Sequence, residues 1–324
     1  MKHLIPHRVA GRLARCAAAA LLALISTFVQ AQDRTLDTAF GSLTVTGTPE
    51  RVVTLYEGAL DAAIAVGVKP VGAIITRGGS SVAEYIQPRV GEIAIVGTPG
   101  ETNLEAVIAL QPDLILASNR TNAQQYELLS AIAPTVVPDV PAYQSDTWIR
   151  ETRLFAEALG KPAQGEAAIA AVRERIDAVS LQVASQVPQD RRGASVVRWM
   201  PQGAMVMATG IFSATLLEGV GFDVNDAGLV KEGRPHSSPL SEENLSMIDQ
   251  SWLFLATLNE DGREALAAAK RSPAFRRLQA VEVGQVVPVD GQVWSSATGP
   301  IAAGAILDRI EAALSGAALA NVTP

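Results

Sequence analysis

Short apolar runs alternate with helix-forming stretches along most of the chain. Residues 51–55, Arg-Val-Val-Thr-Leu, are β-rich; a helical stretch over 59–66 follows, closed by Gly67, and 68–75 reads as the next strand. Residues 93–96 are short and apolar, and 103–110 read as a helix ending ahead of Pro112, because proline disfavours helix in the residue before it. A strand over 114–117, a helix over 124–133, a strand over 135–137 and a helix over 148–159 complete the first half. Uniformly apolar strands set between helices predict a mainly parallel sheet covered on both faces.

From Pro162 to about 187 the only further glycine or proline is Gly165, and Ile169, Val172, Ile176, Val179 and Val183 recur at spacings of three and four. That stripe predicts one helix of about 25 residues, about 38 Å long at 1.5 Å per residue. An exposed helix of one large domain, or a coiled-coil arm, fits the same stripe; a strut lying along both halves is the preferred reading. Beyond it, strands are expected at 194–197, near 205–208, at 253–256 and at 285–287. Helices are expected at 213–218, 243–247, 274–280 and 301–314. Two phrases recur in the same order. Asn103-Leu104-Glu105 leads to the strand after Asp113, as Glu243-Asn244-Leu245 leads to the strand at Trp252. Leu129-Ser-Ala-Ile132 precedes Thr135-Val-Val-Pro138, as Leu278-Gln-Ala-Val281 precedes Gln285-Val-Val-Pro288. The expected fold class is α/β: two three-layer lobes with mainly parallel sheets, joined by one long rigid α-helix. The lobes are placed at 32–161 and 188–324, with the linking helix at 162–187.

The first 31 residues read as an address. Lys2, Arg8, Arg12 and Arg15 precede an uncharged run over 16–29 and the small-residue end Val29-Gln30-Ala31, the layout of a cleaved signal peptide. The run of ~14 apolar residues falls short of the ~20 that span a bilayer. A lipid anchor on Cys16 is disfavoured, since Arg15 stands where a small residue belongs. Composition then narrows the function. The chain of 324 residues is 48% hydrophobic and 18% charged, with net charge −7; loss of the four basic residues of the leader takes this to −11. An acidic chain argues against a general nucleic-acid binder. One Cys and three His exclude a disulfide framework and a thiolate or iron–sulfur centre held by this chain alone, and after cleavage His236 is the only His. No nucleophile elbow, P-loop, dinucleotide fingerprint or H-E-x-x-H occurs, and a triad on His236 would need partners delivered by tertiary contact. An exported, soluble binding protein of the periplasm is the reading, with no catalysis and no cofactor.

In open parallel sheets ligands sit beyond the carboxyl ends of the strands. At such ends stand Tyr56, Arg77, Asn119 and Arg120 in the first half, and Arg198, Trp199, Thr257 and Trp294 in the second. The polar loop 231–238 adds Arg234 and His236. Guanidinium groups hold anionic oxygens through forked hydrogen bonds, and Trp and Tyr supply flat walls. The set suits a bulky, anionic, partly apolar ligand; each arginine by itself also fits a solvated surface, and Tyr56 fits a packing role.

The string RVVTLYEGALDAAIAVGVKPVGA (51–73) resembles the opening lobe of periplasmic iron–siderophore binding proteins of ABC importers, of the helical-backbone class. TNLEAVIALQPDLILAS (102–118), YELLSAIAPTVV (126–137), LLEGVG (216–221), LSEENL (240–245) and SPAFRRLQAVEVGQVVPVD (272–290) continue it in order, running on to Trp294 and GPIAAGAILD (299–308). The resemblance implies two lobes bridged by a long helix, a ferric siderophore held between them, and delivery to an inner-membrane permease. Iron is then held by the chelator and not by protein side chains. It further implies that Glu105 and Glu243, with Glu242 a near competitor, dock with basic residues of the permease; acidic residues are also simply favoured in a helix's first turn. The ferric-citrate and hydroxamate branch is closest in texture. Haem, through Tyr56 or His236, or cobalamin is the alternative ligand, and a secreted hydrolase of similar architecture a remote one. A carrier that must meet a permease is most simply a monomer.

Overall fold

A β-hairpin of β1 (Arg34–Thr38) and β2 (Gly41–Val45), turning at Gly41 with φ +97°, stands where the sequence predicts only a polar lead. The structure, a computed structural model, describes residues 33–316. The leader expected over 1–31 lies outside the described residues. There follow β3 (Val52–Thr54), α1 (Glu57–Ala65), β4 (Gly72–Ala73), α2 (Gln87–Val90), β5 (Ala94–Ile95), β6 (Gly97–Thr98), β7 (Glu101–Thr102) and α3 (Leu104–Ala109). After these come β8 (Leu114–Leu116), α4 (Ala123–Ser130), β9 (Thr135–Val136) and α5 (Thr147–Ala158). The first sheet runs β5-β4-β3-β8-β9, every pair parallel. Strands β3, β4, β8 and β9 are buried on both faces because both are covered; the edge strand β5 is exposed. Val52, Leu114 and Leu116 pack on Ala59, Ala62 and Phe155 of α1 and α5, while Val53 and Ile115 pack on Val107 and Leu129.

The long helix α6 (Pro162–Gln186) has 25 residues and buries Ile169, Val172, Val179 and Val183, four of the five positions in the expected stripe; Ile176 is half-buried against the same core. Proline suits its first turn, where an N–H would lack a helical partner. Arg153 of α5 and Glu166 of α6 pair at 2.6 Å on the surface.

The second sheet repeats the order of the first. After α6 come β10 (Gly193–Met200), β11 (Gly203–Val206), α7 (Phe212–Gly219), β12 (Asp223–Val224) and a 3-10 helix, Glu242–Ile248. Then follow β13 (Trp252–Thr257), α8 (Glu260–Ala269), α9 (Pro273–Arg276), α10 (Gln279–Glu282), β14 (Val286–Asp290), α11 (Gly291–Ser295) and α12 (Pro300–Leu314). Strands β10-β13-β14 are parallel neighbours like β3-β8-β9, with β12 parallel and β11 antiparallel to β10. The recurring phrases therefore mark equivalent strands. Three expectations change. The region 243–247 is 3-10 rather than α, and 274–280 is split between α9 and α10. Helix α8 was not foreseen; Gly262 sits in its first turn, where glycine weakens a helical pattern, and Asn259 caps it, accepting from Gly262 N at 3.1 Å.

Alternation decides which strand residue meets which layer. Val196, Phe254 and Val287 face α6, α7 and α12, whereas Val197, Leu253 and Leu255 face α8 and α9. The two sheet regions are also tied directly. Asp61 of α1, fully buried, accepts from Ile301 N at 2.9 Å and Ala302 N at 2.8 Å at the start of α12, and from the Tyr85 hydroxyl at 2.9 Å. Gly299, at φ +118°, leaves no room for a Cβ against that carboxylate. No helix among the described residues is long and apolar enough to cross a membrane.

Candidate functional site

A cavity of about 480 Å³ opens between the carboxyl ends of the two sheets. The first half contributes Tyr56, Arg77, Asn119 and Arg120 to its lining, and the second Arg198, His236 and Trp294. Seven of the ten expected ligand residues are thus brought together. Trp199, Arg234 and Thr257 are not.

The reason is register. Arg198 shares the parity of Val196 and points to the cavity side of β10; Trp199, one residue on, turns to the opposite layer and packs edge-on against Phe275, 3% exposed. Thr257 pairs with Trp199 across the sheet and lies under the N-terminus of α8, its Cβ beside Gly262. The unforeseen helix covers both. Arg234 sits in a turn with Gly233 at φ +71°, which carries it out to solvent, whereas His236 is pinned beside Met207 and reaches the cavity.

Arg198 dominates the electrostatics. It is 7% exposed; its Nη2 lies 3.6 Å from Met205 Sδ, and its Nε has no hydrogen-bond partner. Among the described residues it has no acidic partner within ion-pair distance. Burial, then the facing charge of Arg77, pushes its pKa down from the ordinary guanidinium value. Arg120 donates to the Tyr143 hydroxyl and lies 5.5 Å from that ring's centroid. Glu57 is engaged from within its own lobe, accepting from Thr76 Oγ1 and, at 3.3 Å, from Arg77 N; burial pushes its pKa up. Asn119 spends its amide on Val140 O at 3.0 Å, and the Trp294 ring is stacked on Phe254 at 5.0 Å between centroids, so these two shape the wall more than they reach out.

Several lining residues escaped the sequence reading, Tyr143, Glu151 and Ser296 among them, and Trp148, expected in the core, both packs there and lines the cavity. Ser296 Oγ and Glu151 Oε1 are buried without partners. Glu151 had a legible signal, for it lies on the apolar stripe of α5 with Trp148, Thr152 and Phe155, where a carboxylate needs a reason. Tyr143, at φ +61° in a loop, had none.

The geometry bears on the alternatives. The Tyr56 hydroxyl donates to Glu151 Oε2 at 3.4 Å, and burial with the neighbouring Glu151 and Glu57 raises its pKa well above the ordinary phenol value, which opposes phenolate ligation of haem iron. His236 Nδ1 faces the Ser237 carbonyl at 2.7 Å; among the described residues no carboxylate orients it and no hydroxyl bonds Nε2, so no triad is assembled. Among the described residues no group of three or more His, Cys, Asp or Glu is placed to hold a metal ion. Glu105, Glu242 and Glu243 are exposed and lie away from the cavity, in first turns of α3 and the 3-10 helix.

Residues 52–293 match the family described as periplasmic binding protein. The chain belongs to that family. This periplasmic binding protein is 30% identical over 287 residues to the probable siderophore-binding lipoprotein YfiY of Bacillus subtilis, covering 86% of each chain. It is 27% identical to the Fe(3+) dicitrate-binding periplasmic protein FecB of Escherichia coli, covering 83% of this chain and 86% of that one. Among solved structures, Staphylococcus aureus SirA complexed with staphyloferrin B superposes with a TM-score of 0.75 at 28% identity, covering 87% of this chain and 98% of that one.

Proposed function

We propose that this periplasmic binding protein captures a ferric siderophore rich in carboxylates, in the manner of ferric citrate, and delivers it to an inner-membrane ABC permease. The observation that carries the ligand class is Arg198. A buried guanidinium without an acidic partner, faced by a second arginine, is a costly arrangement that an anionic ligand relieves. Arg77, Arg120 and Arg198 reach the same cavity from both sides, so an anion seated there would be gripped by both sheet regions. Carboxylates match the guanidinium fork. The likeness to proteins named for ferric citrate and siderophores supports the same class.

Export through the leader peptide, action as a single protomer, and permease docking through Glu105 and Glu243 belong to this reading. The test is to titrate ligand-free protein with ferric citrate and follow tryptophan fluorescence, since Trp148 and Trp294 line the cavity. Saturable quenching by ferric citrate, absent with cobalamin and haemin, is expected. Saturation by cobalamin or haemin with no response to ferric citrate overturns the ligand class.

A further inference from the structure

Glu151 is 3% exposed on the buried face of α5 and lines the cavity. Its Oε2 accepts the Tyr56 hydroxyl at 3.4 Å, while its Oε1 has no partner. Helix α5 packs on α1, β1 and α6. From the start of α1 come Tyr56, the residue that precedes it, and Glu57, and from beyond β8 comes Arg120; β1 sends Arg34 to the Gly47 and Ala158 carbonyls, and Glu166 of α6 is paired with Arg153 on the surface. Arg77, Arg198 and His236 share the cavity.

An ionised carboxylate in that wall would face an anionic chelate across a desolvated space and repel it. A neutral acid turns the same oxygen into a donor. Because the Tyr56 hydroxyl already donates to Oε2, the acid proton belongs on Oε1, the oxygen without a protein partner. We infer that Glu151 meets the ligand as a neutral carboxylic acid, donating Oε1–H to an anionic oxygen of the chelate, so that the cleft holds its ligand together with a proton. Burial is the first cause pushing the Glu151 pKa up, to about 8, against smaller opposite pulls from the Tyr56 hydrogen bond and Arg120. The empty cleft is therefore mostly protonated at pH 7. Above pH 8 the acid is ionised, and the proton must be taken from solvent on binding. The inference rests on the anionic-chelate reading above.

Ferric citrate is the probe, titrated into wild type and Glu151→Gln from pH 6.5 to pH 9. The amide keeps a neutral donor and cannot ionise. Wild-type affinity should weaken about tenfold relative to Glu151→Gln between pH 7 and pH 9, the linkage expected when binding requires protonation of a group titrating near 8. The ratio cancels changes in the chelate itself, and His236→Gln introduced into both removes the imidazole's share. Calorimetry of wild type alone, in two buffers of different ionisation heat, should show close to one proton taken up per ligand at pH 9 and close to none at pH 6.5. Parallel pH profiles with no proton uptake overturn the inference and leave the ligand class standing. Failure of either protein to bind ferric citrate at any pH overturns the ligand class, and the inference with it.

Discussion

Arg198 and Trp199 are neighbours in sequence with opposite fates, and the difference between them organises the site. Both occupy the carboxyl end of β10, but the pleat sends one to the cavity and the other to the core. Sequence alone located the strand end and not its parity; that is why Arg77, Arg120, Arg198, Tyr56 and His236 reach the cavity as a set while Trp199 and Thr257 do not, and Arg234 is carried off by its turn. Arg198→Ala and Arg77→Ala should each weaken ferric citrate binding about 10- to 100-fold, the loss of charge-assisted hydrogen bonds. Arg234→Ala, at an exposed turn outside the lining, should leave affinity unchanged. Stability should move the other way at Arg198. Replacing a buried, unpaired charge by an apolar side chain of similar length removes a desolvation cost, so Arg198→Met should raise stability by about 1 kcal/mol while weakening binding as much as Arg198→Ala does. Thermal melting beside fluorescence titration checks both halves, and a variant that loses affinity and stability together would show that Arg198 is structural.

At the level of elements, periodicity carried most of what was foreseen. The 25-residue α6 and the apolar strands are strong, long-range patterns, and the repeated phrases correctly paired β8 with β13 and β9 with β14. The hairpin β1–β2 was missed because its signal is short and polar, and helix α8 because its first turn holds Gly262; tertiary cover secures both, Leu36 and Val45 sealing the α1–α5 core and Leu266 the far face of the second sheet. The two acidic turns belong to this scale as well. Glu105 stands one turn before Ile108 on α3, and Glu243 shares the short 3-10 helix with Met247; both apolar side chains are exposed, at 55% and 45%. An exposed acid and an uncovered apolar residue on one short helix at each of two sites suit a partner that brings basic and apolar groups together. Charge reversal at Glu105 and Glu243 should spare ferric citrate affinity and reduce uptake in cells. Undiminished uptake by the double variant would remove both residues from the docking surface.

Across the whole molecule, the cleft depends on how firmly its two sides are held. Arg175 of α6 reaches Asp308 at 2.8 Å and Glu311 at 2.5 Å on α12, and Gln182 adds a bond to Glu311 at 3.0 Å. These ties are partly exposed, and salt and solvent weaken them. Asp61 is different: it is buried, and its two oxygens take three hydrogen bonds, two of them from the first N–H groups of α12, where the helix's positive end favours a carboxylate. Removing it leaves the Ile301 and Ala302 N–H groups and the Tyr85 hydroxyl without their acceptor. Asp61→Ala should therefore cost about 3 kcal/mol of stability, read as a lower urea midpoint. Arg175→Ala should cost well under half as much. The same comparison tests the mechanics of capture. With α1 clamped onto α12 behind the cavity, ligand binding should draw the cavity walls together only slightly in wild type, leaving the radius of gyration in solution scattering unchanged on saturation with ferric citrate. In Asp61→Ala, where the clamp is gone, loading should produce a measurable contraction. A wild-type protein that contracts as much as the variant would show that the lobes pivot freely and that Asp61 stabilises the fold without restraining them.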